Sequence, residues 1–231
     1  MTRAKFRDRV KGYTEFMGAV QANTDDLLDE IINRSNDQFS IVTACLYSSA
    51  SVLTIAAGTK LYNLDNVAIC ADRIWLAVNV TINGKPLKSF ENKMGPCTVM
   101  EAAAAGFQIV IIPTPPNRWA REIPHSILFN GSFDGTETVK VHGYRKPLAI
   151  NPGQAFDHNE IDLPDEYLYT AAAFAATTAM EVRSAGSQME RLEKIDARAA
   201  SAMRALMAQG QMIMRSVLGY VPISTEQGEA L

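Results

Sequence analysis

The 231-residue chain carries 22 Lys and Arg against 25 Asp and Glu, a formal net charge of −3 at pH 7, with 47% hydrophobic and 20% charged residues. That length and balance allow an ordinary core in one large domain or two small ones, and they exclude general disorder. The mildly acidic charge gives no electrostatic footprint for holding nucleic acid by its phosphates; it suits a surface past which DNA moves without sticking.

Phe6, Val10, Tyr13, Met17 and Val20 recur at steps of three and four, which predicts a helix within residues 1–22. Lys5, Arg7, Arg9 and Lys11 lie on this helix as a basic group, expected to be a solvated face. Thr24 is a good N-cap, and Asp25 and Asp26 suit the positive end of a second helix, Asp25 to Arg34. Leu27, Leu28, Ile31 and Ile32 form its buried stripe, and Ser35-Asn36-Asp37 is expected to stop it. Residues 39–51 fit a helix or a strand.

From Val52 the texture turns to β-branched and aromatic residues. Asn83-Gly84 predicts a tight hairpin. Asn130-Gly131 and Asp134-Gly135 lead to the expectation that ILF (127–129) and ETVKVHGY (137–144) pair as another. Thr98 to Glu101 matches a capping box for a short helix ending at Gly106, and Phe107 to Ile112 reads as a buried strand. Past Ile161 the chain reads as helix. Pro164, Asp165 and Glu166 suit a first turn, and Gly186 marks a break. A stretch from about Ser187 to Val217 follows, with Leu192, Ile195, Ala199, Ala202 and Leu206 as a heptad-like seam. The order predicts an α+β fold: N-terminal helices over 1–51, a β-rich hairpin domain over 52–161, long helices over 162–218 packing with the N-terminal ones, and a tail over 219–231.

Chemistry is sparse. Cys45, Cys70 and Cys97 are far apart, odd in number and without a CxxC, so reduced thiols are expected. His125, His142 and His158 show no metal-ligand spacing. The polar run Asp157 to Asp162 lacks the pattern of a calcium loop. Gly131 to Gly135 resembles a nucleophile elbow only in outline. No phosphate-cradling glycine loop is present. No catalytic, cofactor or metal residues are therefore assigned. The longest apolar run, Ala102 to Ile112, is too short to cross a bilayer, and the charged N-terminus lacks a signal core, which predicts a chain kept in a cytoplasm. Trp119, beside Pro115 and Pro116, is taken as an interface anchor.

Three stretches resemble the head-to-tail adaptor (connector) proteins of tailed double-stranded DNA bacteriophages. DLLDEIINRSND followed by TIAAGTKLYNLD is similar to the family's opening helices, glycine turn and "Y-x-L" strand. DRIWLAVNVTINGKPLKSF is similar to its "I-x-x-V-x-x-V-x-x-N-G-x-x-L" hairpin. SILFNGSFDGTETVKVHGYRKPLAI and EIDLPDEYLYTAAAFAATTAM are similar to a hairpin leading to "I-x-L-P-x-E-Y" and an alanine-rich helix. The turn Phe129 to Ser132 lacks the family's prolines, and Cys97 to Ile112 has no counterpart.

The resemblance implies a virion structural protein without enzymatic activity, forming a ring, commonly of about twelve copies, beneath the portal. It implies the portal and a tail or nozzle protein as partners, and DNA passing through the channel without sequence-specific binding. On this reading the small-residue face of TAAAFAATTA packs against a neighbouring copy, with Tyr167, Tyr169, Phe174 and Leu206 adding contact area. Met212, Ile213, Met214, Val217 and Leu218 would belong to a flexible segment that docks onto the portal, since Gly210, Gly219 and Pro222 argue against a long helix. The alternatives are a carbohydrate-active enzyme with a β-domain, or a small-ligand binding module. The absence of a clustered acid, base, nucleophile or metal site favours the structural protein.

Overall fold

The computed structural model describes residues 1–16, 25–89, 116, 118–122, 125–149, 161–180 and 186–218. The capping box at Thr98, the strand Phe107 to Ile112, His158, Cys97 and the tail 219–231 lie outside them. The fold is α+β, with long C-terminal helices and antiparallel hairpin-like strands. The chain divides into two compact units: Met1–Leu46 with Lys146–Gly210, and Tyr47–Arg145 with the residues from Gln211 onward.

The first unit is helical: α1 (Arg3–Phe16), α2 (Asp25–Thr43), a short 3-10 turn (Asp165–Tyr167), α3 (Leu168–Ala179), α4 (Gln188–Ile195) and α5 (Ala197–Leu218), whose last two turns belong to the second unit. α3 contacts α1, α2 and α4. It carries no charge, and Leu168, Thr170 and Ala171–Thr177 are all buried, as expected of a helix that fills a core; Tyr169 near its start is exposed. Phe6 and Val10 of α1, Leu28, Ile32 and Phe39 of α2, and Leu192 of α4 close around it.

α2 runs nine residues beyond the expected stop at Arg34. Ser35, Asn36, Ser40 and Thr43 are buried within it. Two of them return their hydroxyls to the helix: Ser40 Oγ to the Asp37 carbonyl at 2.8 Å and Thr43 Oγ1 to the Phe39 carbonyl at 2.7 Å. Such back-bonding satisfies a hydroxyl without breaking the ladder. The helix ends where Ala44 turns left-handed, φ 49°.

α1 and α2 are braced by charge. Asp29, wholly buried, is gripped by Arg7 (Nη2 at 2.6 Å, Nε at 3.2 Å) and also by Arg3. The basic face expected on α1 is therefore split: Arg7 is interior, while Lys5 and Arg9 are exposed.

The second unit holds two four-stranded sheets. β1 (Tyr47–Leu53), β8 (Val139–Arg145), β3 (Ile74–Ile82) and β4 (Lys85–Pro86) form one, in that order; β2 (Leu61–Asn63), β7 (Ser126–Phe129), β6 (Arg118–Glu122) and β5 (Lys88–Ser89) form the other. Asn83 and Gly84 both have positive φ (50° and 78°), and they join β3 to β4 with Ile82 opposite Lys85, as the dipeptide predicts. The other expected hairpin does not form. β7 pairs with β2 and β6, whereas β8 pairs with β1 and β3. The connection between them changes sheets: Gly131 packs on Pro116, and Asp134 and Glu137 tie the loop to its own amides.

Leu53, Ile74, Val80, Ile82, Val139 and Val141 of the first sheet share a core with Tyr62, Trp119, Ile127 and Phe129 of the second. Gly143 of β8 lies so near Leu76 and Ala77 that no Cβ would fit. Tyr62, 2% exposed, anchors the loop before it: its hydroxyl accepts the Ala56 N–H at 3.2 Å and donates toward the Ala56 or Thr59 carbonyl, each at 3.1 Å.

Candidate assembly surfaces

The residues expected at an interface separate into interior and surface groups. Trp119 lies in β6 with no exposure, and the Arg121 guanidinium sits 5.3 Å from its ring centroid. It is a core residue of its unit, not a loop anchor. Phe174 is 5% exposed and meets Phe39 edge to face, with ring centroids 6.0 Å apart. The helix carrying it is enclosed by its own chain, so the small-residue face of α3 is not open to a neighbouring copy. Alanines there let α1, α2 and α4 approach closely, which is the same physics applied within one subunit. Leu206 is half-buried against the same cluster, and Tyr167 is half-buried beside it.

Tyr169 is 40% exposed and belongs to a polar knot in the first unit. Its hydroxyl and that of Tyr13 (3.3 Å) both donate to Asp196 Oδ2. The Arg9 guanidinium lies 5.0 Å from the Tyr169 ring centroid. Asp196 Oδ1 accepts the N–H groups of Arg198 (2.9 Å) and Ala199 (3.0 Å), capping α5. Partial burial pushes the Asp196 carboxyl up, but donation from Tyr169, from the Ala199 and Arg198 amides and from Tyr13 outweighs it, leaving a net downward shift. Burial, then the neighbouring Tyr169 and Asp196, push the Tyr13 phenol up, so it stays a neutral donor.

Met212, Ile213, Met214, Val217 and Leu218 form the helical end of α5, not an irregular tail. Met212 is 62% exposed and the others are half-buried. The helix continues through Gly210 because that glycine is a packing contact: it faces the Val42 carbonyl and Thr43 at the end of α2, where no side chain fits. The helix expected to about Val217 therefore forms, and the break suggested by Gly210 does not.

Reactive groups remain dispersed. Among the described residues no group of three His, Cys, Asp or Glu is placed to hold a metal. Cys70 is buried with its sulfur 3.2 Å from Ser51 Oγ, and Cys45 is half-buried. His125 Nδ1 is 3.4 Å from the Trp75 carbonyl. Asp162, the described end of the acidic run, accepts the Leu148 N–H at 2.8 Å. Burial lowers the Arg121 guanidinium to about 10. No described helix is long and apolar enough to cross a membrane. Asp29 and Asp196 went unnoticed in the sequence; the one available signal for Asp29 was a carboxylate between Leu28 and Ile32 on the buried stripe.

The described residues form a dense helical interior, a β unit with a filled core, and a helix end whose apolar side chains are partly exposed. The chain belongs to the SU10 adaptor protein family, whose model matches residues 1–219. It is a phage structural adaptor, a virion component that works by contact with other phage structural proteins. No curated protein matches the chain.

Proposed function

We propose that the chain forms a ring of about twelve copies at the neck of the virion, between portal and tail, around a channel through which DNA passes. Assembly would take place in the host cytoplasm. Family membership supports the adaptor role, and the end of α5 supports the surface that performs it. Five apolar side chains within Met212–Leu218 on a partly exposed helix are costly in water and adaptable in packing, which suits contact with a portal or a neighbouring copy. A stable contact buries about 800 Å² per partner, more than these residues alone provide, so further surface joins them. With a net charge of −3 per copy, the ring would let DNA slide rather than hold it.

Size-exclusion chromatography with light scattering, on the chain alone and mixed with its portal, tests the reading. The expected result is a defined portal–adaptor ring that Met212→Glu weakens at least tenfold. Truncation after Leu218 separates any contribution of residues 219–231 from that of the helix. A wild-type chain that joins no ring at any ratio to portal would overturn the reading, as would tight duplex-DNA binding with a steep salt dependence for the channel role.

A further inference from the structure

We propose that the corner between α4 and α5 is a two-state joint: Asp196 clasps it bent, and the same residues also form one straight helix from Gln188 to Leu218. A single residue separates the two helices, held extended at φ −158° and ψ 101°. No glycine or proline lies between Ser187 and Gln209, so nothing in the backbone forbids helix at position 196. Helical pairing already reaches the corner from both sides. The Asp196 N–H donates to the Leu192 carbonyl at 2.8 Å, and the Ala200 N–H donates to the Asp196 carbonyl at 3.0 Å. Straightening therefore needs new partners for only three amides: Ala197, Arg198 and Ala199 would turn to the carbonyls of Glu193, Lys194 and Ile195. Two of the three now rest on Asp196 Oδ1. The side chain stands in for the backbone, the competition by which aspartate interrupts helices.

A second contact belongs to the bent form alone. Arg204 of α5 pairs with Glu193 of α4, eleven residues apart. Along a straight helix that separation is about 16 Å, out of reach of a salt bridge. Both side chains are about half exposed, 57% and 46%, so the strap is weak. The sequence also carries two apolar stripes. In the bent form α5 buries Ala199, Ala200, Met203 and Gly210, and leaves Ala202 only half covered. In the straight form Leu192, Ile195, Ala199, Ala202 and Leu206 would fall into one heptad seam, the kind of face helices bury against one another. A second apolar stripe in the same segment gives the straight form a packing face of its own, which a bistable element requires. Use of the straight form during ring assembly rests on the adaptor reading above; the joint itself is testable in the free chain.

The experiment places spectroscopic labels on Glu190 and Gln209, both exposed, through encoded non-natural residues in the full chain, and measures their separation by pulsed dipolar spectroscopy. A straight helix sets these positions about 28 Å apart. The wild type should show a shorter distance. Asp196→Ala should raise the population near the straight distance at least tenfold. Ala197→Pro, which suits the first position of α5 and cannot sit inside a straight helix, should abolish that population in the Asp196→Ala background. If Asp196→Ala loses its helical circular dichroism, Glu193→Arg decides: it should raise the straight-to-bent ratio about two- to fivefold, and Arg204→Glu added to it should restore the ratio. A wild type already at the straight distance, or failure of both Asp196→Ala and Glu193→Arg to add the long population, overturns the joint.

Discussion

α3 and the end of α5 are both helices of small and apolar residues, yet one is sealed and the other is half open. α3 carries no charge, and Leu168, Thr170 and Ala171–Thr177 are buried. α5 carries Arg198, Arg204 and Arg215, and its buried residues are Ala199, Ala200, Met203 and Gly210. An uncharged helix is enclosed by the chain except at Tyr169; a helix with three arginines keeps one side wet, buries its apolar side over Ala199 to Gly210, and leaves Met212 uncovered near its end. Alanine richness therefore marks close approach, and the placement of charge decides whether the approach is made within the subunit or outside it.

The largest break in this contrast should come from the charge brace that closes α1 and α2 around α3. Asp29→Ala leaves Arg3 and Arg7 in the interior without their carboxylate, and should cost about 3–5 kcal/mol by chemical denaturation. Gly210→Ala tests the point where α5 crosses the end of α2. A Cβ there runs into the Val42 carbonyl, and the loss should be about 1–3 kcal/mol, although alanine is the better helix former.

A smaller effect should follow pH at the α4–α5 corner. The folded Asp196 carboxyl titrates below its unfolded value, so its contribution is fully present above the ordinary carboxylate range. It should fade as pH falls below about 4, and Asp196→Asn should flatten that part of the stability profile relative to wild type. Met212→Glu should be the mildest on folding, within about 0.5 kcal/mol by thermal denaturation, because the side chain is 62% exposed. A large loss there would place the helix end inside the fold and remove it from the assembly surface.

What was legible in the sequence was local. Asn83-Gly84 specified its turn because both residues tolerate positive φ, and the strands on either side needed no other information. Partner choice between sheets was not legible: β7 and β8 are adjacent in sequence and bounded by turn residues, but β7 pairs with its other neighbour β6 and with the distant β2, while β8 pairs with the distant β1 and β3. Ser35-Asn36-Asp37 looks like a stop because those residues compete with the helix backbone; the helix continues past them to place Phe39 in the same core as Leu28 and Ile32. At the surface, the apolar run Met212–Leu218 was visible in composition. Its helical form agrees with the helix expected to Val217; the competing reading of a flexible segment fails because Gly210 is a packing contact with Val42 and Thr43, 167 positions or more away in the chain.

The hydroxyl of Tyr62 gives the loop around Gly58 a property that loops seldom have. With its amide held by a phenol that is 2% exposed, Ala56 should exchange its proton with solvent on the timescale of the β core and not that of the surface. Burial also raises the Tyr62 ionisation above the usual phenol range. In alkaline solution that tyrosine should be a late one to ionise, so the difference in ultraviolet absorbance titration between the wild type and Tyr62→Phe would report when this unit begins to open.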